Sequence, residues 1–226
     1  MARDGQVTRE RILEVANELV LKHGFAATSL EQILQRAGVT KGAFFHHFES
    51  KEELATALVD RYLVTERELV EATLRRAERL SSDPLQQVLI ALGLLEEMFA
   101  KLDAPHPGCL VASYLYQNDL MTAETTAKSR EAFLVWRHDI AGKLRAAAKT
   151  RPPRMAVDYE ALGDLPITLI EGAMVMAKLF DDSKMIAEQL RLIRNHIELL
   201  FGIEQAAPQA AHPEKEPRGK RVKVGA

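Results

Sequence analysis

At 226 residues, with 47% hydrophobic and 27% charged side chains, the chain can bury a sizeable core and has the composition of an ordinary globular protein. A formal net charge of -2 excludes a broadly basic surface, and the single cysteine, Cys109, excludes an internal disulfide framework and fits a reducing cytoplasm. No apolar run approaches the roughly 18 residues of a membrane span, and Met1 is followed by no apolar secretory segment.

Apolar residues recur at helical spacing almost throughout, and no segment sustains the alternation of a strand. The first helix is expected from about Thr8, with Ile12, Leu13, Ala16, Leu19 and Val20 on one face and Gly24 as its stop. Thr28 and Glu31 have the spacing of a capping box for a second helix that ends at Gly38. Thr40 is placed to cap a short aromatic third helix, in which Phe44 and Phe48 have the spacing of core residues. Two short helices joined through a glycine-containing turn form a helix-turn-helix, the unit that lays its second helix in the DNA major groove.

Ser50 and Glu53 form a capping box that opens a long helix from Lys51 to about Leu80. Asp83-Pro84 starts a fifth helix carrying Leu85, Val88, Leu89, Leu92, Leu95, Met98, Phe99 and Leu102. After the loop at Ala104 to Gly108, a short apolar helix is expected from Leu110 to about Leu120, then a longer one from about Ala123 to Ala148. Two helices follow, about Tyr159 to Phe180 and about Ser183 to Phe201; Pro166 should kink the first or split off its opening turns. From Gly202 the periodicity is lost, and residues 204–226 read as a disordered tail. Its basic stretch, Arg218, Lys220, Arg221 and Lys223, is either a nonspecific DNA contact or a solvated terminus. The expected fold is all-α with about nine helices. A helix-turn-helix DNA-binding domain over 1–50 precedes a ligand-binding and dimerisation bundle over 51–203.

Several stretches at fixed spacing carry a likeness to a known family. They are Gly24-Phe25-x-x-Thr28-Ser29, Ala37-Gly38-Val39-Thr40-Lys41-Gly42, and His47-Phe48-x-Ser50-Lys51-x-x-Leu54. Over Thr8 to Leu63 the chain resembles the tetracycline-repressor family of transcriptional regulators. The resemblance implies a homodimer, most simply a repressor, that binds a two-fold operator and is released when a small molecule occupies the body. It places Thr40, Lys41, Gly42 and Ala43 at the start of the recognition helix, Phe45, His46 and His47 on its DNA side, and Lys51, Thr28 and Ser29 against phosphates. Phe45 departs from the family, which usually has tyrosine there. Residues 1–50 carry six Arg or Lys (Arg3, Arg9, Arg11, Lys22, Arg36, Lys41) against six Asp or Glu (Asp4, Glu10, Glu14, Glu18, Glu31, Glu49), so any positive DNA-facing surface must come from placement. A helical ligand-binding dimer without specific DNA regulation is the alternative.

No nucleophile elbow, phosphate-binding glycine loop or zinc-protease helix is present in the sequence, so no catalytic residue, metal or cofactor is expected. Adjacent His46 and His47 point to different helix faces and lack further ligands. A cavity of unknown inducer specificity is expected among Tyr62, Met98, Phe99, Leu102, Tyr114, Phe133, Trp136, Met174 and Met176, positions that equally suit plain core packing. Cys109 is either a small buried hydrophobe or a sensor thiol, activated by a helix N-terminus and by Lys178. Long apolar stripes on the last two helices, including Leu169, Gly172, Ala173, Leu190, Ile193 and Ile197, point to a four-helix dimer interface.

Overall fold

The computed structural model describes residues 2–117 and 122–203, the side chains of residues 2–4 aside; the expected tail and its basic stretch lie outside the described residues. Among these residues the protein is all-helical, as expected. Its elements are α1 (Ala2–His23), α2 (Leu30–Ala37), α3 (Lys41–Phe45), α4 (Lys51–Leu80), α5 (Pro84–Ala100), α6 (Leu110–Leu115), α7 (Ala123–Ala148), α8 (Tyr159–Phe180) and α9 (Met185–Leu200). None of these helices is long and apolar enough to cross a membrane.

Helix α1 begins about one and a half turns earlier than its apolar face predicts. Residues 5–7 add no buried apolar residue to that face (Val7 is exposed), and a helix can extend without one. The capping box of α2 also sits one residue later than expected. Ser29, not Thr28, caps the helix: its Oγ accepts from the Gln32 N–H at 3.2 Å, and Gln32 Oε1 accepts from the Ser29 N–H at 2.7 Å. Gly38 follows in the left-handed conformation (φ 65°), which glycine adopts without a Cβ clash. Thr40 caps α3 through the Ala43 N–H at 3.1 Å, and Ser50 caps α4 through the Glu53 N–H. The Glu53 carboxylate reaches back to the N–H of Glu49, one residue short of the reciprocal bond in a full capping box.

Helices α1, α2 and α3 close over Ile12, Leu13, Ala16, Ile33, Phe44 and Phe48, all buried, so the two phenylalanines are core as their spacing predicts. Burial of each such side chain contributes about 1.5–3 kcal/mol. The start of α4 completes this head, and the rest of α4 runs along the body. In the body α5 is central, packing on α4, α7 and α9, while α8 lies between α7 and α9. The Lys184 ammonium donates to the carbonyls of Ala100 and Leu102 at 2.9 Å each, satisfying groups that the end of α5 leaves unpaired.

Helix α8 runs unbroken through Pro166, so the expected loss of its opening turns does not occur. Pro166 is buried in the α7–α8 contact zone beside Asp164, whose carboxylate takes a two-pronged hydrogen bond from Arg137 of α7 at 2.6 and 2.7 Å. Gly163 lets the two helices meet: a Cβ there would lie 2.8 Å from the Arg137 carbonyl oxygen. Gly163→Ala should therefore destabilise the fold in chemical denaturation. Its helix-propensity gain of about 1 kcal/mol is outweighed by overpacking of about 1–3 kcal/mol. Gly142→Ala, on α7 with nothing within 4 Å, should instead stabilise it by about 0.5–1 kcal/mol. A stabilised Gly163→Ala would show that α7 and α8 can part without loss.

Candidate nucleic-acid interface and ligand cavity

The outer end of the head presents α3. Its N-terminal turn, Lys41 and Gly42, is exposed, Ala43 is half-buried, and the cap by Thr40 holds that turn over the buried Phe44. Phe45 is 45% exposed, and the Lys41 ammonium lies 5.9 Å from the centre of its ring. His46 is exposed and His47 half-buried, with ring centres 5.1 Å apart. Burial, His46 and Arg9 lower the His47 pKa, so that imidazole is neutral at pH 7 and can donate one hydrogen bond and accept another. The helix start, Phe45 and His46 are thus exposed at this end of the head, with His47 half-buried next to α1.

Two of the expected phosphate contacts are used internally. Thr28 is buried, with its hydroxyl donating to the Gly24 carbonyl at 2.8 Å, so it is a structural residue of the α1–α2 turn and cannot reach DNA. Lys51 donates to the Phe25 carbonyl at 2.9 Å, and its ammonium sits 4.3 Å from the centre of the Phe25 ring; burial lowers its pKa. Ser29 remains exposed while capping α2.

In the body, α4, α5, α7 and α8 enclose a cavity of about 330 Å³. Of the residues expected to line it, Tyr62, Met98, Phe99, Leu102, Phe133, Trp136 and Met174 do so. Tyr114 does not: it is fully buried on the other side, against Phe25 at 5.5 Å between ring centres. Met176 and Lys178 are exposed on the outer side of α8.

Cys109 stands just behind the cavity wall as the N-cap of α6. Its Sγ accepts from the Ala112 N–H at 3.5 Å and from the Tyr62 hydroxyl at 3.4 Å, and Glu171 is near enough for its charge to act on the thiol. The expectation of an activated thiolate is corrected here. Burial and the Glu171 charge push the Cys109 thiol up to about 11, and six residues of α6 supply too weak a dipole to reverse that. Lys178 packs instead near the Gly108 backbone, and with burial it lowers the pKa of His106.

Sequence inspection missed the polar groups of the cavity: Glu66, Glu71, Arg67, His106 and Glu171. The pattern that marks two of them is visible afterwards. Glu66 falls between Tyr62 and Val70 at four-residue steps, and Glu171 between Ile167 and Met174, each a carboxylate on an otherwise apolar stripe. Burial raises the pKa of both, and Glu171 raises that of Glu66 further.

The expected dimer residues also need correction. Leu190, Ile193, Ile197 and Ala173 are buried inside the protomer and Leu169 is half-buried; only Gly172 is openly exposed. Either face of α9 satisfies a helical repeat, and α5 has taken the one bearing Ile193 and Ile197. The apolar face left uncovered consists of Val175 (65% exposed), Leu179 (71%) and Phe180 on α8, with Leu192 and Leu199 on α9.

Comparison with known proteins matches both parts. The family model described as bacterial regulatory proteins, tetR family, matches residues 12–58, and the one described as tetracyclin repressor-like, C-terminal domain, matches residues 84–193. An uncharacterised HTH-type transcriptional regulator of Lactococcus lactis subsp. lactis is 23% identical over 198 residues, 84% of this chain and 93% of its own length. The HTH-type transcriptional regulator TtgR of Pseudomonas putida is 46% identical over 57 residues, 25% of this chain and 27% of its own. A TetR transcriptional regulator from Chloroflexus aurantiacus superposes with a TM-score of 0.70 at 25% identity, covering 86% of this chain and 96% of its own.

Two outcomes test the cavity electrostatics. At pH 8 native Cys109 should react with N-ethylmaleimide at least roughly 100-fold more slowly than in the unfolded chain, since a two-unit rise in pKa cuts the thiolate fraction by that factor. Equal rates would mean an accessible, ionised thiol. A carboxyl group whose pKa is raised by folding contributes stability below its unfolded pKa, and that contribution is lost as pH rises through the folded value. Glu66→Gln should therefore gain Tm relative to the unmodified protein as pH goes from about 4.5 to 8, measured by thermal denaturation.

Proposed function

As the chain belongs to the TetR family of transcriptional regulators, which bind DNA, we propose that it is a repressor that holds a palindromic operator as a homodimer. A small, largely apolar ligand in the body cavity then releases it. The single observation that carries the DNA half is the exposed, capped N-terminal turn of α3, set on the buried Phe44 and Phe48. Lys41 meets a phosphate, Gly42 and Ala43 allow close approach, and His47 and His46 offer polar contacts to base edges or backbone. Phe45 offers only apolar contact, to sugar or a thymine methyl. Ser29 is free to approach a phosphate; Lys51 acts by holding the head together.

The dimer forms through the uncovered face of α8 and α9, with Gly172 allowing close approach of the partner helix. Two heads at fixed separation then match half-sites about one helical turn, roughly 34–36 Å, apart. Ligand occupancy acts through α6. Its N-cap, Cys109, accepts from the Tyr62 hydroxyl at the cavity, and beyond its C-terminus the Gln117 Oε1 accepts from the Ala26 N–H at 3.0 Å in the head. A shift at one end of this six-residue helix is thus felt at the α1–α2 turn. Coupling of about 1–3 kcal/mol would change operator affinity 5–150-fold. Release by modification of Cys109 is disfavoured, because the thiol is buried and held protonated.

Enrichment from random duplex DNA, followed by anisotropy titration, tests the repressor. A two-fold site bound with steep salt dependence is expected, and Lys41→Ala should lower the log–log salt slope by about 1 per protomer. Failure to enrich any sequence would leave the ligand-binding dimer without DNA regulation. Leu179→Glu with Leu192→Glu should yield folded monomers by light scattering and lose operator binding, whereas Ile193→Glu should unfold the protomer. A double variant that stays dimeric would move the interface elsewhere.

A further inference from the structure

The cavity has a charge character that its apolar walls conceal. Glu66 and Glu171 both line it, and among the described residues neither has a lysine or arginine within ion-pair distance. The other polar groups of the lining do not neutralise them. Arg67 is engaged with Glu71 at 2.8 Å toward solvent, and His106 is kept neutral by burial and Lys178, with its Nδ1 accepting from the Gly108 N–H at 3.1 Å. Three carboxylates against one guanidinium leave the lining negative at neutral pH by two charges when all are ionised. The rest of the wall is aromatic and aliphatic, with Trp136, Phe99, Phe133, Met98 and Met174. Trp136 is 4% exposed, and its indole N–H is buried without a hydrogen-bond partner among the described residues.

Two unpaired carboxylates in an apolar cavity are unfavourable for the empty protein, and they persist in it beside groups that stack well on cations. We propose that the cavity takes an organic cation, a protonated amine or quaternary ammonium on an apolar or aromatic body, with its charge between Glu66 and Glu171. The proposal rests on this cavity being the effector site. The cation supplies the counter-charge that no residue of the lining provides, and the body fills the volume between Trp136, Phe133 and the methionines. A ligand whose only charge is a carboxylate is excluded by repulsion from the same pair. Tyr62 lines the cavity and donates to the Cys109 Sγ at 3.4 Å, and the Glu171 charge acts on the same thiol, so a cation beside Glu171 is felt at the start of α6.

An isosteric series separates charge from shape: 4-phenylbutylammonium, 4-phenylbutanol and 4-phenylbutanoate, titrated into the full-length dimer at pH 7.5. Calorimetry gives the affinities, and quenching of the single tryptophan, Trp136, confirms the site. In the unmodified protein the ammonium should bind at least about tenfold tighter than the alcohol, and the carboxylate weakest. In the Glu66→Gln, Glu171→Gln double variant the ammonium should fall to the affinity of the alcohol, while the alcohol itself binds at least as well, which reports an intact cavity. If the alcohol binds the unmodified protein and the ammonium gains nothing over it, the cation proposal is overturned while the cavity stands as a ligand site. An ammonium preference that survives both substitutions overturns it as well. If none of the three binds or quenches Trp136, the effector cavity itself is wrong, and the proposal falls with it.

Discussion

The turn between α1 and α2 is held from two sides. The Lys51 ammonium of α4 donates to the Phe25 carbonyl and lies over its ring, and from the body Tyr114 packs on that ring while Gln117 accepts the next N–H. Both clasps are short, and both end on residues whose far neighbours touch the cavity: α4 carries Tyr62 and Glu66, and α6 begins at Cys109. The position of the head relative to the body is therefore set by the continuous α4, by apolar packing and by a few polar contacts around one buried aromatic. An interface of this size can be biased by about 1–3 kcal/mol without unfolding either side. The proposed release of DNA depends on that softness.

The cavity is built against the usual rule for cores. Its shell would be more stable with apolar residues at 66 and 171, because burial raises both carboxyl pKa values and the Glu171 charge raises that of Glu66 further. In the proposed mechanism such positions are where local stability gives way to binding, since a bound cation would supply their counter-charge. Cys109 illustrates the opposite case. A thiol at a helix start suggests reactivity, yet desolvation and an adjacent carboxylate outweigh the few N–H dipoles of a six-residue helix. The residue serves as a hydrogen-bonded joint between Tyr62 and α6.

The residues that were legible share a short range. The end of α2 and the starts of α4 and α5 follow from caps and breakers, namely Gly38, Ser50 and the proline after Asp83, each acting within one turn of itself. The shift from Thr28 to Ser29 as cap shows the limit of such signals. Two hydroxyl residues stand side by side, each with a suitable partner three positions on, and only the packing of the α1–α2 turn, which buries Thr28, decides between them. The cavity wall was legible in its aromatics and methionines but not in its carboxylates. Glu66 and Glu171 lie on different helices, and nothing local says that they converge.

Sequence alone determined the helical class, the helix-turn-helix and the aromatic base of the recognition helix. These rest on 3.6-residue periodicity, capping chemistry and glycine turns, all written within a few residues. Tertiary structure decided which face of each helix is inside. It put Ile193 and Ile197 in the core and left Leu179 and Leu192 exposed, and it turned Lys51 inward to Phe25. It also brought two distant carboxylates into one apolar space. An amphipathic pattern marks a stripe on a cylinder; what the stripe meets depends on how the cylinders pack.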